Sequence, residues 1–136
     1  MNDIIDHKIA TIHHSLTRIR EVFHLAEDRL DTDLTSQKSM IFNLERTCQA
    51  SVEITNHLNK TLSSTFPKDY RESFEALHES GLISTELTLR LQELIDFRSS
   101  AIRNEQTLNF EDVKRLVENR LSDFEDFINS IKVLEV

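Results

Sequence analysis

The segment Ile5-Asp-His-Lys-Ile9-Ala-Thr-Ile12-His-His-Ser-Leu16-Thr-Arg-Ile19-Arg-Glu-Val-Phe23-His-Leu-Ala26 decides the fold class. Its apolar residues Ile5, Ile9, Ile12, Leu16, Ile19, Phe23 and Ala26 recur at steps of four and three, which draws one stripe along one face of an α-helix. A strand would alternate with a period of two. The spacing predicts a helix from about residue 3 to about residue 28, ended by the polar run Glu27-Asp-Arg-Leu-Asp-Thr-Asp33.

The same period recurs along the chain. Thr35 or Ser36 is placed to cap a second helix, because a side-chain oxygen there accepts from a first-turn amide. Its stripe is Ile41, Leu44, Cys48, Ser51 or Val52, Thr55, Leu58 and Leu62. Periodicity stops near Pro67, which disfavours a helical Phe66. A short third helix from Tyr70 to about Glu79 carries Phe74 and Leu77, and Gly81 suits the left-handed residue that ends it. The fourth begins near Ser84 and shows Leu87, Leu91, Leu94, Ile95, Arg98 and Ile102. Asn109 with Asp112 resembles a capping pair for a last helix, whose core face is Val113, Leu116, Val117, Leu121, Phe124, Phe127 or Ile128, and Ile131.

The expected architecture is therefore all-α: an antiparallel bundle of about five helices joined by short polar loops. One Gly, one Pro and no Trp in 136 residues leave little of the punctuation that sheets and hairpins need. This length suits one domain, residues 1–136, with a core of its own. The stripes also admit an extended coiled coil, but short connections favour packing within the chain, with dimerisation of the bundle as a further step.

Composition excludes several classes of function. Cys48 has no partner for an intramolecular disulfide or a cysteine-based zinc site, and reads as a small buried hydrophobe. The chain shows no signal-like start and no apolar run of membrane-spanning length, so a soluble cytoplasmic protein without membrane contact is expected. The net charge of −8 argues against a general nucleic-acid binder. Nevertheless Arg98, Arg103, Lys114, Arg115 and Arg120 fall around one helix-to-helix connection, and a local basic cleft survives in an acidic protein. Gly-rich phosphate loops, His-Glu-x-x-His helices and nucleophile elbows are absent. A single Glu75-x-x-His78 pair is half of what a di-iron bundle uses, so no metal and no cofactor are expected.

Against this background the segment Arg98-Ser-Ser-Ala-Ile-Arg103-Asn-Glu105 stands out. Together with the opening Met1-Asn-Asp-Ile-Ile-x-x-Lys-Ile-Ala-Thr-Ile12, the segment Asn43-Leu-Glu-Arg-Thr-Cys-Gln-Ala50 and the ending Leu121-Ser-Asp-Phe-Glu-Asp-Phe-Ile128, it resembles the HepT-like HEPN-domain toxins over nearly the whole chain. The resemblance implies a homodimer and metal-independent RNA cleavage, in a type VII toxin–antitoxin pair with the nucleotidyltransferase MntA. It also implies a dimer cleft lined by an RX4HXY motif, whose Tyr the antitoxin modifies with AMP.

Arg98 matches the motif Arg, a fixed charge whose planar fork suits a phosphate. Arg103 stands at the His position and Glu105 at the Tyr position, while Ser99 replaces the usual Asn. His transfers protons near neutral pH, whereas a guanidinium with a pKa above about 12 holds phosphate but cannot act as a base. Glu105 offers no phenolic hydroxyl for AMP. Impaired cleavage is therefore expected.

The alternative is a non-catalytic helical partner of a small nucleotidyltransferase. A plainer alternative leaves Arg98 and Arg103 to the helix dipole and to nearby Asp96 or Glu93. The six histidines, His7, His13, His14, His24, His57 and His78, are weak candidates to replace the missing base; His13 and His14 are expected to face solvent.

Overall fold

A computed structural model describes residues 3–63, 66–103 and 110–133. Six helical segments follow one another: α1 Asp3–Ala26, α2 Leu34–Ser63, α3 Tyr70–Glu79, α4 Thr85–Arg103, α5 Phe110–Asn119 and α6 Ser122–Lys132, with a 3-10 turn at Glu27–Arg29. No strand occurs among the described residues. α1 packs along α2, α3 lies against α2 and α4, and α4 touches α2 and α6. The five-helix antiparallel bundle holds, with its last helix divided in two.

One continuous core fixes these positions. Ile5, Ile12, Leu16 and Ile19 of α1 are almost wholly buried against Met40, Cys48 and Ile54 of α2, Leu91 and Ile95 of α4, and Phe124 and Phe127 of α6. Phe74 of α3 meets Phe127 edge to face, with ring centroids 6.0 Å apart, the geometry that aromatic quadrupoles favour. The α1 stripe drifts near its end: Val22 is buried where Phe23 was expected, and Phe23 is half-buried beside it.

Three buried hydroxyls on α2 satisfy themselves locally. Thr47, Ser51 and Thr55 donate to the carbonyls of Asn43, Thr47 and Ser51, each at 2.9 Å, so burial orphans none of these three. Ser51 is fully buried, and Val52 is half-buried against the same core. Leu62, expected at the end of this stripe, is exposed.

The caps show where local sequence decides. Asp33, not Thr35 or Ser36, caps α2: Oδ1 accepts from Ser36 N at 3.1 Å and Oδ2 from the Ser36 hydroxyl at 2.9 Å. These bonds hold the Asp33 carboxyl below its ordinary value. Ser84 accepts from Leu87 N at 3.1 Å at the start of α4. Gly81 has φ +84° and closes a Schellman motif, in which Leu82 N donates to Leu77 O at 3.3 Å and Gly81 N to His78 O at 2.9 Å. The Asn109 half of the capping pair lies outside the described residues.

The break between α5 and α6 falls at Arg120–Leu121. Arg120 donates to the buried Asp123 carboxylate at 2.9 Å and to Arg90 O at 3.2 Å, tying the turn to α4. Among the described residues no helix is long and apolar enough to cross a membrane.

Candidate functional site at the end of α4

The last two turns of α4 carry the first part of the segment singled out above, Arg98 to Arg103, and α2 supplies the partners of Arg98. Arg98 is largely covered, with 23% of its side chain exposed. Its Nη2 donates to Gln49 Oε1 at 3.3 Å and lies 3.8 Å from Glu45 Oε1. Its Nε is buried and finds no acceptor, an arrangement that costs about 1–3 kcal/mol. A guanidinium with one donor buried and unused, and one arm turned toward an exposed carboxylate, keeps a fixed cation at the edge of the bundle.

Cys48 lies one turn from Glu45 and beneath Arg98. It is fully buried, with Sγ 4.0 Å from Leu94 O. Burial pushes its thiol up to about 12; the Arg98 charge pulls the other way, and Glu45 adds to the rise. A thiol in this state is no nucleophile, as expected of a structural cysteine.

Ser99 follows Arg98 and is half-buried. Arg103 ends α4, and its side chain is outside the described part of the structure. Glu105 lies outside the described residues altogether. Of the expected site residues, the side chains of Arg98 and Ser99 are thus the two described.

The carboxylates expected to answer Arg98 have other partners. Asp96 accepts from the Tyr70 hydroxyl and pairs with Arg71, while Glu93 lies 3.5 Å from Arg120. Glu45 and Gln49, one turn apart on α2, meet Arg98 instead; no local signal in the sequence links them to it.

Of the cations expected around this site, the described ones, Lys114, Arg115 and Arg120, each stand against carboxylates. Lys114 sits between Asp31 at 3.4 Å and Glu111 at 3.3 Å. Burial opposes its charge, but hydrogen bonds to both carboxylates outweigh that and raise its pKa. Arg115 lies 4.0 Å from Asp112, and Arg120 is taken by Asp123 and Glu93. A concavity of about 410 Å³ between α4 and α5 is accordingly lined by both signs of charge, with Phe97 on its wall.

The histidines are dispersed. His7, His13, His14 and His24 are exposed and His57 is half-buried. His78 lies against Ile83 O at 2.8 Å and the Thr85 hydroxyl at 3.3 Å, so it braces the α3–α4 turn. Glu75 faces Gln92 at 3.5 Å.

Three comparisons bear on this geometry. A family model described as ribonuclease HepT-like matches residues 12–131. The "mRNA nuclease HepT" of Shewanella oneidensis is 39% identical over 132 residues, covering 97% of this chain and 98% of that protein. The tri-AMPylated Shewanella oneidensis HEPN toxin, solved in complex with its MNT antitoxin, superposes with a TM-score of 0.92 at 38% identity, over 98% of this chain and 99% of that one. A toxin–antitoxin crystal structure with AMP-PNP gives a TM-score of 0.91 at 38% identity, over 96% and 99%. Fold, length and sequence agree from end to end, and the chain belongs to the HepT-like ribonuclease family.

Proposed function

We propose that this chain is the toxin-side member of a pair with an MntA-type nucleotidyltransferase, acts in the cytoplasm as a homodimer, and has strongly impaired RNA cleavage. The observation that carries the pairing is the full-length likeness to a toxin solved with its MNT antitoxin. Arg98, held at the bundle edge by α2, retains the charge that meets a phosphate. Arg103 takes the place of the family His and cannot serve as a general base, because its guanidinium stays protonated. Ser99 keeps a hydroxyl but no amide at its position. RNA binding thus survives better than RNA cutting.

The replacement of the motif Tyr by Glu105 favours a second reading at the same surface: a binding partner that has lost both cleavage and its modification switch. Coexpression with an MntA-type nucleotidyltransferase tests the pairing. A stable copurified complex containing two copies of this chain is expected, with no AMP on this chain by intact-mass measurement. A monomer that ignores the nucleotidyltransferase refutes the pairing. AMP found on the chain refutes the loss of the switch.

A further inference from the structure

Arg98 communicates, through two α2 side chains, with a second concavity. Glu45 and Gln49, which face Arg98 at 3.8 and 3.3 Å, also line a groove of about 320 Å³ between the first turns of α1 and the middle of α2. Phe42 lies in this groove and is 58% exposed. The Arg46 guanidinium stands 5.8 Å from its ring centroid and makes no ion pair among the described residues. Lys8, also in the groove, is by contrast engaged by Glu53 at 2.6 Å.

An exposed ring with a guanidinium over one face and no ion pair holding that cation is what a splayed nucleotide needs: the base stacks on the other face of the ring, and the cation meets the adjoining phosphate. The volume falls at the small end of ligand pockets, which run from about 300 to about 1,000 Å³, and so suits one unpaired nucleotide better than a duplex. A second copy of the chain fits less well. Apart from Phe42 and Ala50 the lining is polar or charged, whereas the cores of protein interfaces are depleted in charge. The carboxylates of Glu45 and of the Lys8-paired Glu53 disfavour a phosphate in the middle of the groove, which leaves Arg46 and, beyond Glu45, Arg98 to meet the backbone.

We propose that this α1–α2 groove is a subsite for an unpaired ribonucleotide, its base stacked on Phe42, in a strand whose next phosphate sits at Arg98. The proposal rests on the RNA-binding reading above and adds where a flanking base goes.

Binding of fluorescein-labelled oligoadenylate at low salt, followed by anisotropy beside light-scattering mass, tests it. Phe42→Ala should weaken binding about tenfold, the scale of one lost stacking contact. Phe42→Tyr should restore it, Arg46→Ala should weaken it and flatten its salt dependence, and all variants should keep the wild-type mass. Unchanged binding in Phe42→Ala with loss in Arg98→Ala overturns the subsite and leaves the RNA reading standing. A changed mass in Phe42→Ala overturns it in favour of an interface between copies. No binding by the wild-type protein overturns both.

Discussion

Glu45 on α2 stands 3.8 Å from the Arg98 guanidinium on α4, so the one motif cation whose side chain is described already has a counter-charge. An anion arriving at Arg98 must displace that carboxylate or share the cation with it. Glu45→Gln should therefore strengthen oligoadenylate binding about three- to tenfold and leave the melting temperature nearly unchanged, since a partly exposed ion pair contributes only about 0–1 kcal/mol. Anisotropy titrations at two salt concentrations check this; equal or weaker binding shows that Glu45 does not compete.

Cys48 should make alkaline stability distinctive. Its folded thiol lies near 12 against an ordinary 9.0, so the unfolded chain loses this proton first as pH rises. The stabilisation is intact below pH 9 and declines between 9 and 12. Denaturant midpoints at pH 8 and pH 10 should separate more in the wild type than in Cys48→Ala. In the native protein the thiol should also resist Ellman's reagent until denaturant is added.

Gly81 should be intolerant of a side chain for backbone reasons alone. Nothing lies within 4 Å of a Cβ built there, yet φ is +84°. Gly81→Ala should cost about 1–2 kcal/mol, the penalty of the left-handed region, or a melting-temperature drop of about 4 °C. An unchanged melting temperature would show that the α3–α4 turn rearranges freely.

Tyr70 should be structural and not a modification site. Its hydroxyl donates to Asp96, which Arg71 also engages, so the three side chains join α3 to α4 two residues before Arg98. Tyr70→Phe should lower stability by about 1 kcal/mol without altering complex formation with a nucleotidyltransferase. Mass spectrometry of the coexpressed chain should find Tyr70 unmodified.

Periodic information was legible in the sequence; tertiary partnership was not. The α1 stripe, Ser84 as a cap and Gly81 as a helix stop all rest on interactions within a few residues. Asp33, Thr35 and Ser36 are equally good caps of α2 by residue type, and it is the bonds from Ser36 N and its hydroxyl that single out Asp33. The division at Arg120 was hidden because the apolar face continues through Leu116, Leu121 and Phe124; the turn depends on Arg120 reaching Asp123 and Arg90. Likewise the basic residues cluster in sequence, but Lys114, Arg115 and Arg120 each meet carboxylates in space. The partners of Arg98 come from α2, almost fifty residues away, where no spacing rule reaches.

Arg98 remains while the motif His that would transfer protons is replaced by Arg103. Cleavage of total RNA by the purified wild-type protein in EDTA, beside Arg98→Ala and Arg103→His, tests what that exchange does. Wild type and Arg98→Ala should leave the RNA intact, and Arg103→His should gain metal-free cutting. Efficient metal-free cutting by the wild type, abolished in Arg98→Ala, would contradict this.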